Sequence, residues 1–177
     1  NNIVVVDDAS TDNTAMLAKK EGAIVLKHKI NRGQGAALQT GNDYAAKNGA
    51  ELVVHFDGDN QFNEKDIIKA IELLNEKKVD IVLGSRFLDK HSKIPWSKKY
   101  LLLPFGRCVN NLFTGVKLTD FHNGFRILNR KALQKIQISQ DGMAHNTEIV
   151  KQIKKYGLKF TEVGVEVKYH EYGQGIG

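Results

Sequence analysis

Ile3-Val4-Val5-Val6 runs directly into Asp7-Asp8-Ala9-Ser10-Thr11-Asp12, and this junction decides the fold class. A continuous β-branched apolar run is expected of a strand covered on both faces, as in a parallel sheet. Ser10 and Asp12 are turn and cap formers, and the pattern predicts a helix from about Thr14 to Glu21, ended by Gly22. Outward from there the alternation repeats. Ala23 to Lys27 reads as a second strand. Gly33-Gln34-Gly35 opens a helix from about Ala36 to Lys47, stopped by Asn48-Gly49. Glu51 to Phe56 is a third strand, Lys65 to Lys77 has apolar residues at helical spacing (Ile67, Ile68, Ile71, Leu74), and Asp80 to Gly84 is a fourth strand. This order predicts an α/β fold, a mostly parallel sheet flanked by helices, with ligands at the carboxyl ends of the strands. The polar clusters Asp7-Asp8, Asn31-Arg32, Asp57-Asp59 and Ser85-Arg86 fall at those ends.

The second half is less regular. Trp96 to Phe113 reads as a helix or helix pair, Phe125 to Leu128 as a strand, Arg130 to Ile136 and Thr147 to Tyr156 as helices, and Phe160 to Lys168 as a late strand. No repeat or linker is visible, so a single domain over 1–177 is expected. An open α/β fold ordinarily places a central strand and helix ahead of the strand seen here. The first strand is therefore expected to be absent from this stretch, and the chain to be a piece of a longer protein.

The chain has 177 residues, enough for one substantial core, and at 41% hydrophobic and 26% charged it has the composition of a globular domain. No run of eighteen apolar residues occurs, which excludes a transmembrane helix within the stretch, and no secretory signal is visible. One cysteine, Cys108, excludes an intrachain disulfide and fits a reducing compartment. The net charge of +6 is spread over lysine pairs (Lys19-Lys20, Lys77-Lys78, Lys98-Lys99, Lys154-Lys155) without an Arg cluster, a base-stacking motif or zinc-finger spacing, so no nucleic-acid partner is expected.

The chemistry-bearing stretch is Val53-Val54-His55-Phe56-Asp57-Gly58-Asp59-Asn60-Gln61. Strand alternation would send Asp57 and Asp59 to the same side. Two hard oxygen donors at a strand tip suit Mg²⁺ or Mn²⁺, which commonly combine one or two carboxylates with substrate phosphates. At Asp7-Asp8 one carboxylate is expected to meet ligand and the other to brace the loop, with a helix-capping turn as the alternative. In Asn31-Arg32-Gly33-Gln34-Gly35 the glycines permit close backbone approach, the helix start favours anions, and Arg32 adds a donor fork for phosphate.

Taken in order, Val6-Asp7-Asp8-Ala9-Ser10-Thr11-Asp12, Asn31-Arg32-Gly33-Gln34-Gly35 and Asp57-Gly58-Asp59 resemble the family-2 inverting glycosyltransferases of GT-A (Rossmann-like) fold. Downstream, Gly84-Ser85-Arg86-Phe87 and Thr119-Asp120-Phe121-His122-Asn123-Gly124-Phe125-Arg126 are similar to the branch that glycosylates dolichyl and other polyprenyl phosphates, the mannosyltransferase-like enzymes. The resemblance covers essentially the whole chain. It implies a nucleotide-binding half over about 1–90 and an acceptor half over about 91–177. It further implies transfer of a hexose from a UDP- or GDP-linked sugar, with Mg²⁺ or Mn²⁺, to a lipid phosphate or a glycan hydroxyl. Asp7, Asp8, Arg32 and Gly33 would meet the nucleotide, with Asp57 and Arg86 toward the sugar diphosphate. Asp57, Asp59 and Gln61 would hold the metal. Arg86 and Arg126 would meet the donor diphosphate or the acceptor phosphate, and Asp120 is the carboxylate expected at the acceptor; Glu148, on its helix, would brace the groups behind it or serve as base for a hydroxyl acceptor. The family's opening strand with its Pro-x-Tyr-Asn-Glu segment is absent, and Phe121-His122-Asn123 stands where the polyprenyl branch often has Pro-Thr-Ser. The acceptor therefore stays open between the two classes, and a non-catalytic nucleotide- or carbohydrate-binding module is the alternative to an enzyme.

Among the histidines, His55 reads as a packed strand residue. His122 and His145 are expected near the acceptor side, and His170 within reach of the metal or diphosphate. Lys93-Ile94-Pro95-Trp96-Ser97-Lys98-Lys99-Tyr100, backed by Leu101 to Phe105, has the mixture of an interfacial segment. With a lipid acceptor that would seat a cytoplasmic enzyme at the inner face of a membrane; an amphipathic helix covering the sheet is the alternative.

Overall fold

The computed structural model describes residues 2–88 and 115–167. In chain order the elements are β1 (Val4–Asp7), α1 (Thr14–Lys20), β2 (Ile24–Lys27), α2 (Gln34–Lys47), β3 (Leu52–His55), α3 (Lys65–Lys77), β4 (Ile81–Ser85), β5 (Arg126–Asn129), α4 (Arg130–Lys135), α5 (His145–Lys155) and β6 (Phe160–Gly164). The strand–helix alternation read from the sequence is present throughout the described residues. The helix expected over Trp96–Phe113, the interfacial segment, Cys108 and His170 lie outside them.

The sheet is α/β in class, but its pairing is not a simple consecutive array. β1 and β2 form one parallel pair, and the other four strands are ordered β3-β5-β4-β6. β5 is antiparallel to both neighbours, while β4 and β6 are parallel. β3, β4 and β6 therefore share one direction, and β5 runs against them between β3 and β4. Strand reversal puts the first residue of β5, Arg126, opposite His55 and Leu83, at the carboxyl end of its neighbours.

Strand pleating divides the core into two layers. Ile81 and Leu83 of β4 and Leu128 of β5 pack with Ile136, Ile149 and Ile153, on the side of α4 and α5. Val82 and Ile127, one residue out of phase, face Ala70 and Leu74 of α3 together with Phe125 and Val165. Every residue of β4 is buried, as a strand with partners on both edges and helices on both faces requires. Asp66 in the first turn of α3 fastens this helix to the sheet: its carboxylate accepts from Lys69 Nζ at 2.9 Å and from the Glu166 amide at 3.1 Å.

β1 departs from expectation. Val4, Val5 and Val6 are only half-buried and Ile3 is 73% exposed. Among the described residues β1 pairs with β2 alone, so one of its edges lies open. A cleft of about 740 Å³ separates it from β3, lined by Val4 and Val6 on one side, Val53 and Phe56 on the other, and Leu38 and Gly41 of α2.

Candidate active site

The polar loops that follow the strands converge at one end of the molecule, beginning with the turn after β1. Asp7 is 2% exposed; it accepts the Ser10 amide at 2.8 Å and lies 3.3 Å from Lys27 Nζ. The Ser10 hydrogen bonds, and after them Lys27, hold its carboxyl below the usual range. Asp8 points into the loop before α2. It bonds His28 Nδ1 at 2.6 Å and accepts the amides of Arg32 at 2.9 Å and Gly33 at 2.6 Å, while His28 Nε2 reaches Thr40 Oγ1 at 2.9 Å. Burial pushes the Asp8 carboxyl up, but these donors outweigh it and keep it low. Both carboxylates thus brace loops, Asp8 fixing the Arg32–Gly33 backbone. His28 supplies a partner that no sequence motif marks; its position directly after β2 is the one local signal of it.

Gly33 and Gly35 do allow a close approach, but of the chain to itself. Gly33 has φ 106°, and a Cβ there would stand 2.5 Å from the Asp141 carbonyl oxygen; one on Gly35 would stand 2.0 Å from that of Gln140. The Gly35 amide donates to the Asp141 carbonyl at 2.8 Å, and Arg32 Nη2 reaches the Asp141 carboxylate at 3.4 Å. Glu148 on α5 holds this same segment, accepting from the Ser139 amide and hydroxyl and from the Gln140 amide at 3.0 Å. Burial raises the Glu148 carboxyl, yet these bonds bring it below its ordinary value.

The turn after β3 carries the acidic pair. Phe56 and Phe62, flanking the turn on either side, both pack on the buried Phe125, with ring centroids 5.8 to 6.3 Å apart. The turn is not a continued strand: β3 ends at His55, Asn60 takes the left-handed conformation at φ 59°, and exposed Asp59 accepts the Gln61 amide at 3.1 Å. Asp57 faces inward, where its Oδ1 accepts Gln34 Nε2 at 2.9 Å. Its other oxygen lies where a Cβ on Gly124 would be, 2.1 Å away, so Gly124 makes the room for this carboxylate. Burial first, then the charge of Asp59, push the Asp57 carboxyl above its ordinary range against the pull of Arg126.

Behind Asp57 lies a buried polar layer. Arg126 is buried and its Nη2 donates to Asn146 Oδ1, while burial pushes the guanidinium down to about 10 despite Asp57 and Asp120. His55, packed as expected, bonds Asn42 Oδ1 through Nε2 at 2.8 Å and is pushed by burial, then by Arg126, to about 3. His145 is fully buried with Nδ1 on the Gly142 carbonyl at 2.8 Å, and burial holds it below its ordinary value. His122 is exposed, and only its amide meets Asp120, at 3.4 Å.

Arg86 and Asp120 form the remaining pair. Nε and Nη2 of Arg86 meet the two Asp120 oxygens at 2.7 and 2.8 Å, and the Arg86 amide donates to Oδ2 at 3.1 Å. Burial raises the Asp120 carboxyl, but Arg86 outweighs it and the carboxyl sits low. The carboxyl end of the sheet thus offers a desolvated carboxylate (Asp57) beside an exposed one (Asp59), with one buried and one partly open guanidinium. All the side-chain donors of Asp57, Asp59 and Gln61 to a metal would be oxygens, and the raised Asp57 carboxyl is a negative charge short of compensation, so the set fits a hard divalent cation. Among the described residues no group of three or more His, Cys, Asp or Glu side chains converges on a metal position, so ligand oxygens would have to complete any such shell.

The chain belongs to glycosyl transferase family 2, whose match spans residues 1–137. It is 36% identical over 181 residues to an uncharacterized protein of Methanocaldococcus jannaschii, covering 99% of this chain and 74% of that one. It is 31% identical over 200 residues to the UDP-N-acetylglucosamine–dolichyl-phosphate N-acetylglucosaminyltransferase of Methanococcus voltae, covering 99% and 78%. Among solved structures, glucosyl-3-phosphoglycerate synthase from Mycobacterium tuberculosis in complex with Mn²⁺ and UDP-glucose superposes with a TM-score of 0.69 at 17% identity, over 97% of this chain and 61% of that one. This likeness shows the fold, the GT-A arrangement expected from the sequence. The chain spans about three quarters of the length of the two relatives and under two thirds of that solved structure. Among the described residues no helix is long and apolar enough to cross a membrane.

Proposed function

We propose that the chain is the catalytic domain of an inverting hexosyltransferase that moves a sugar from a UDP- or GDP-linked donor to a polyprenyl or dolichyl phosphate. The observation that carries this reading is the pairing of desolvated Asp57 with Asp59 beside Arg126, at the strand ends where α/β folds take ligands. The half over about 1–90 is assigned to the nucleotide, with Asp7, Asp8, Arg32 and Gly33 shaping its loop, and the half over about 91–177 to the acceptor.

In this reading Asp57, Asp59 and Gln61 hold Mg²⁺ or Mn²⁺, which when bound neutralises charge on the departing diphosphate. Arg86 and Arg126 add fixed positive charge for phosphate oxygens. An oxygen of the acceptor phosphate forms the new bond to the anomeric carbon from the face opposite the diphosphate. The old carbon–oxygen bond breaks and its electron pair leaves with the nucleoside diphosphate, inverting the centre. A phosphate monoester is already an anion at neutral pH and needs no proton removed. That favours it over a glycan hydroxyl, because the two carboxylates available as bases, Asp120 and Glu148, are both engaged by donors and held low. With such an acceptor the domain would work at the cytoplasmic face of a membrane.

The test is thermal stabilisation by UDP- and GDP-sugars with Mn²⁺, expected in the wild type and lost in Asp59→Ala. No stabilisation by either nucleotide sinks the catalytic reading and leaves a non-catalytic module. Labelled-sugar transfer to a lipid phosphate, compared with transfer to an oligosaccharide, then decides the acceptor.

A further inference from the structure

We propose that Glu162 is a positioning residue that sets the Arg86–Asp120 pair to grip a phosphate group; this rests on the reading of Arg86 as a phosphate contact. Glu162 lies on β6, paired in register with Leu83 and so two residues from the end of β4. The sequence shows it only as one polar position in an alternating strand.

Its carboxylate collects three donors from the loop ahead of β5. The Thr119 amide lies 2.8 and 3.0 Å from its two oxygens, the Thr119 hydroxyl 2.7 Å and the Asp120 amide 3.3 Å from Oε1. A carboxylate can only accept, so the Thr119 hydroxyl proton must point to Glu162. That fixes the direction of the next bond: the Ser85 hydroxyl, 2.6 Å away, must donate to Thr119 Oγ1. Ser85 Oγ then accepts the Phe87 amide at 3.2 Å. Ser85 and Phe87 are the neighbours of Arg86 on either side, so one branch of the chain from Glu162 ends on the Arg86 backbone. The other runs through Asp120, which receives the Arg86 amide and clasps its guanidinium. Among the described residues, these two handles on Arg86 trace to one carboxylate. The Arg86 side chain stays 28% exposed within this clasp.

Glutamine at 162 is nearly the same size but has one acceptor oxygen and an amide that donates. It cannot receive the Thr119 hydroxyl and both amides as the carboxylate does, and the polarity of the chain to Ser85 is lost. Thr119→Val removes the hydroxyl branch alone and keeps the volume.

The experiment titrates inorganic pyrophosphate into the wild type and into Glu162→Gln, Thr119→Val and Arg86→Lys, following nitrogen–proton NMR spectra. The Arg86 Nε–H signal is assigned by its absence in Arg86→Lys, and the Val82 and Leu128 amides report an intact core. The expected result is that pyrophosphate moves the Arg86 signal in the wild type. Glu162→Gln and Thr119→Val should each shift that signal before any ligand is added and bind pyrophosphate about tenfold more weakly, core amides unmoved. An Arg86 signal and a pyrophosphate affinity unchanged in both variants overturn the proposal. So does an affinity indifferent to Arg86→Lys. The transferase reading stands or falls separately on nucleotide-sugar stabilisation, since the pyrophosphate result can hold where that one fails.

Discussion

The β1–β2 layer and the β3-β5-β4-β6 sheet are built from similar apolar strands, yet they pack in opposite ways. β4 is buried at every position, whereas β1 is half-buried and α1, which covers it, contributes no buried residue. Met16 and Leu17 of α1 are 60% and 54% exposed. Apolar strands are buried where both edges and both faces find partners, and among the described residues β1 has no partner on the side of the cleft. The stable sheet carries Asp57, Arg86, Asp120 and Arg126; the looser layer carries Asp7 and Asp8 and relies on hydrogen bonds to hold its loops.

The largest effect that tests this contrast is in the core. Phe125→Ala empties a fully buried ring that supports the Phe56 and Phe62 rings flanking the acidic turn, and should cost about 3–5 kcal/mol by urea denaturation. Breaking the clasp comes next. Asp120→Asn leaves Arg86 without its counter-charge and should cost about 2–3 kcal/mol at pH 7. Because the folded Asp120 carboxyl sits below its unfolded value, its contribution is present above about pH 4 and is lost as pH falls through the lower folded value. The deficit of Asp120→Asn against wild type should therefore shrink on acidification; a deficit constant from pH 7 to pH 3 would break the argument.

Asp57 should behave with the opposite sign. Its carboxyl is raised in the fold, so the native state binds this proton more tightly and stability falls as pH climbs from about 4 through the raised value. Asp57→Asn should match wild type in melting temperature near pH 4 and exceed it at pH 7, while losing any Mn²⁺-dependent nucleotide response. An Asn variant less stable than wild type at pH 7 would remove the case for a carboxylate kept charged against its surroundings. The smallest effect belongs to the looser layer: Val5→Ala should cost about 1 kcal/mol or less, since the side chain is already half wet. Hydrogen exchange sharpens the same point, with the Val5 and Val6 amides expected to exchange well before those of Val82 and Leu128. Equal protection in the two regions would erase the contrast.

Much of this was legible in the chain. The helix over Lys65–Lys77 agrees to the residue with its apolar spacing, and each strand before Arg86 lies within a residue or two of its apolar run. Those signals are local, set by periodicity and by turn residues within a few positions. What was not legible is who answers each polar group. Gly33 and Gly35 read as a cradle for a ligand but make room for the Gln140 and Asp141 carbonyls, over a hundred residues on. Gly124, His28 and Glu162 carry no local sign of their work, because their partners are distant in sequence.

The sequence by itself determined the order of strands and helices, the polar residues at the strand ends and the family, all of which follow from short-range pattern and motif spacing. Only the tertiary structure decided that β5 enters antiparallel between β3 and β4, bringing Arg126 to the end where Asp57 sits. It also decided that Asp120 and Glu148 are tied down while Asp57 is left desolvated. Strand pairing and desolvation depend on which distant groups are excluded from water together, a property of the packed chain that no local stretch encodes.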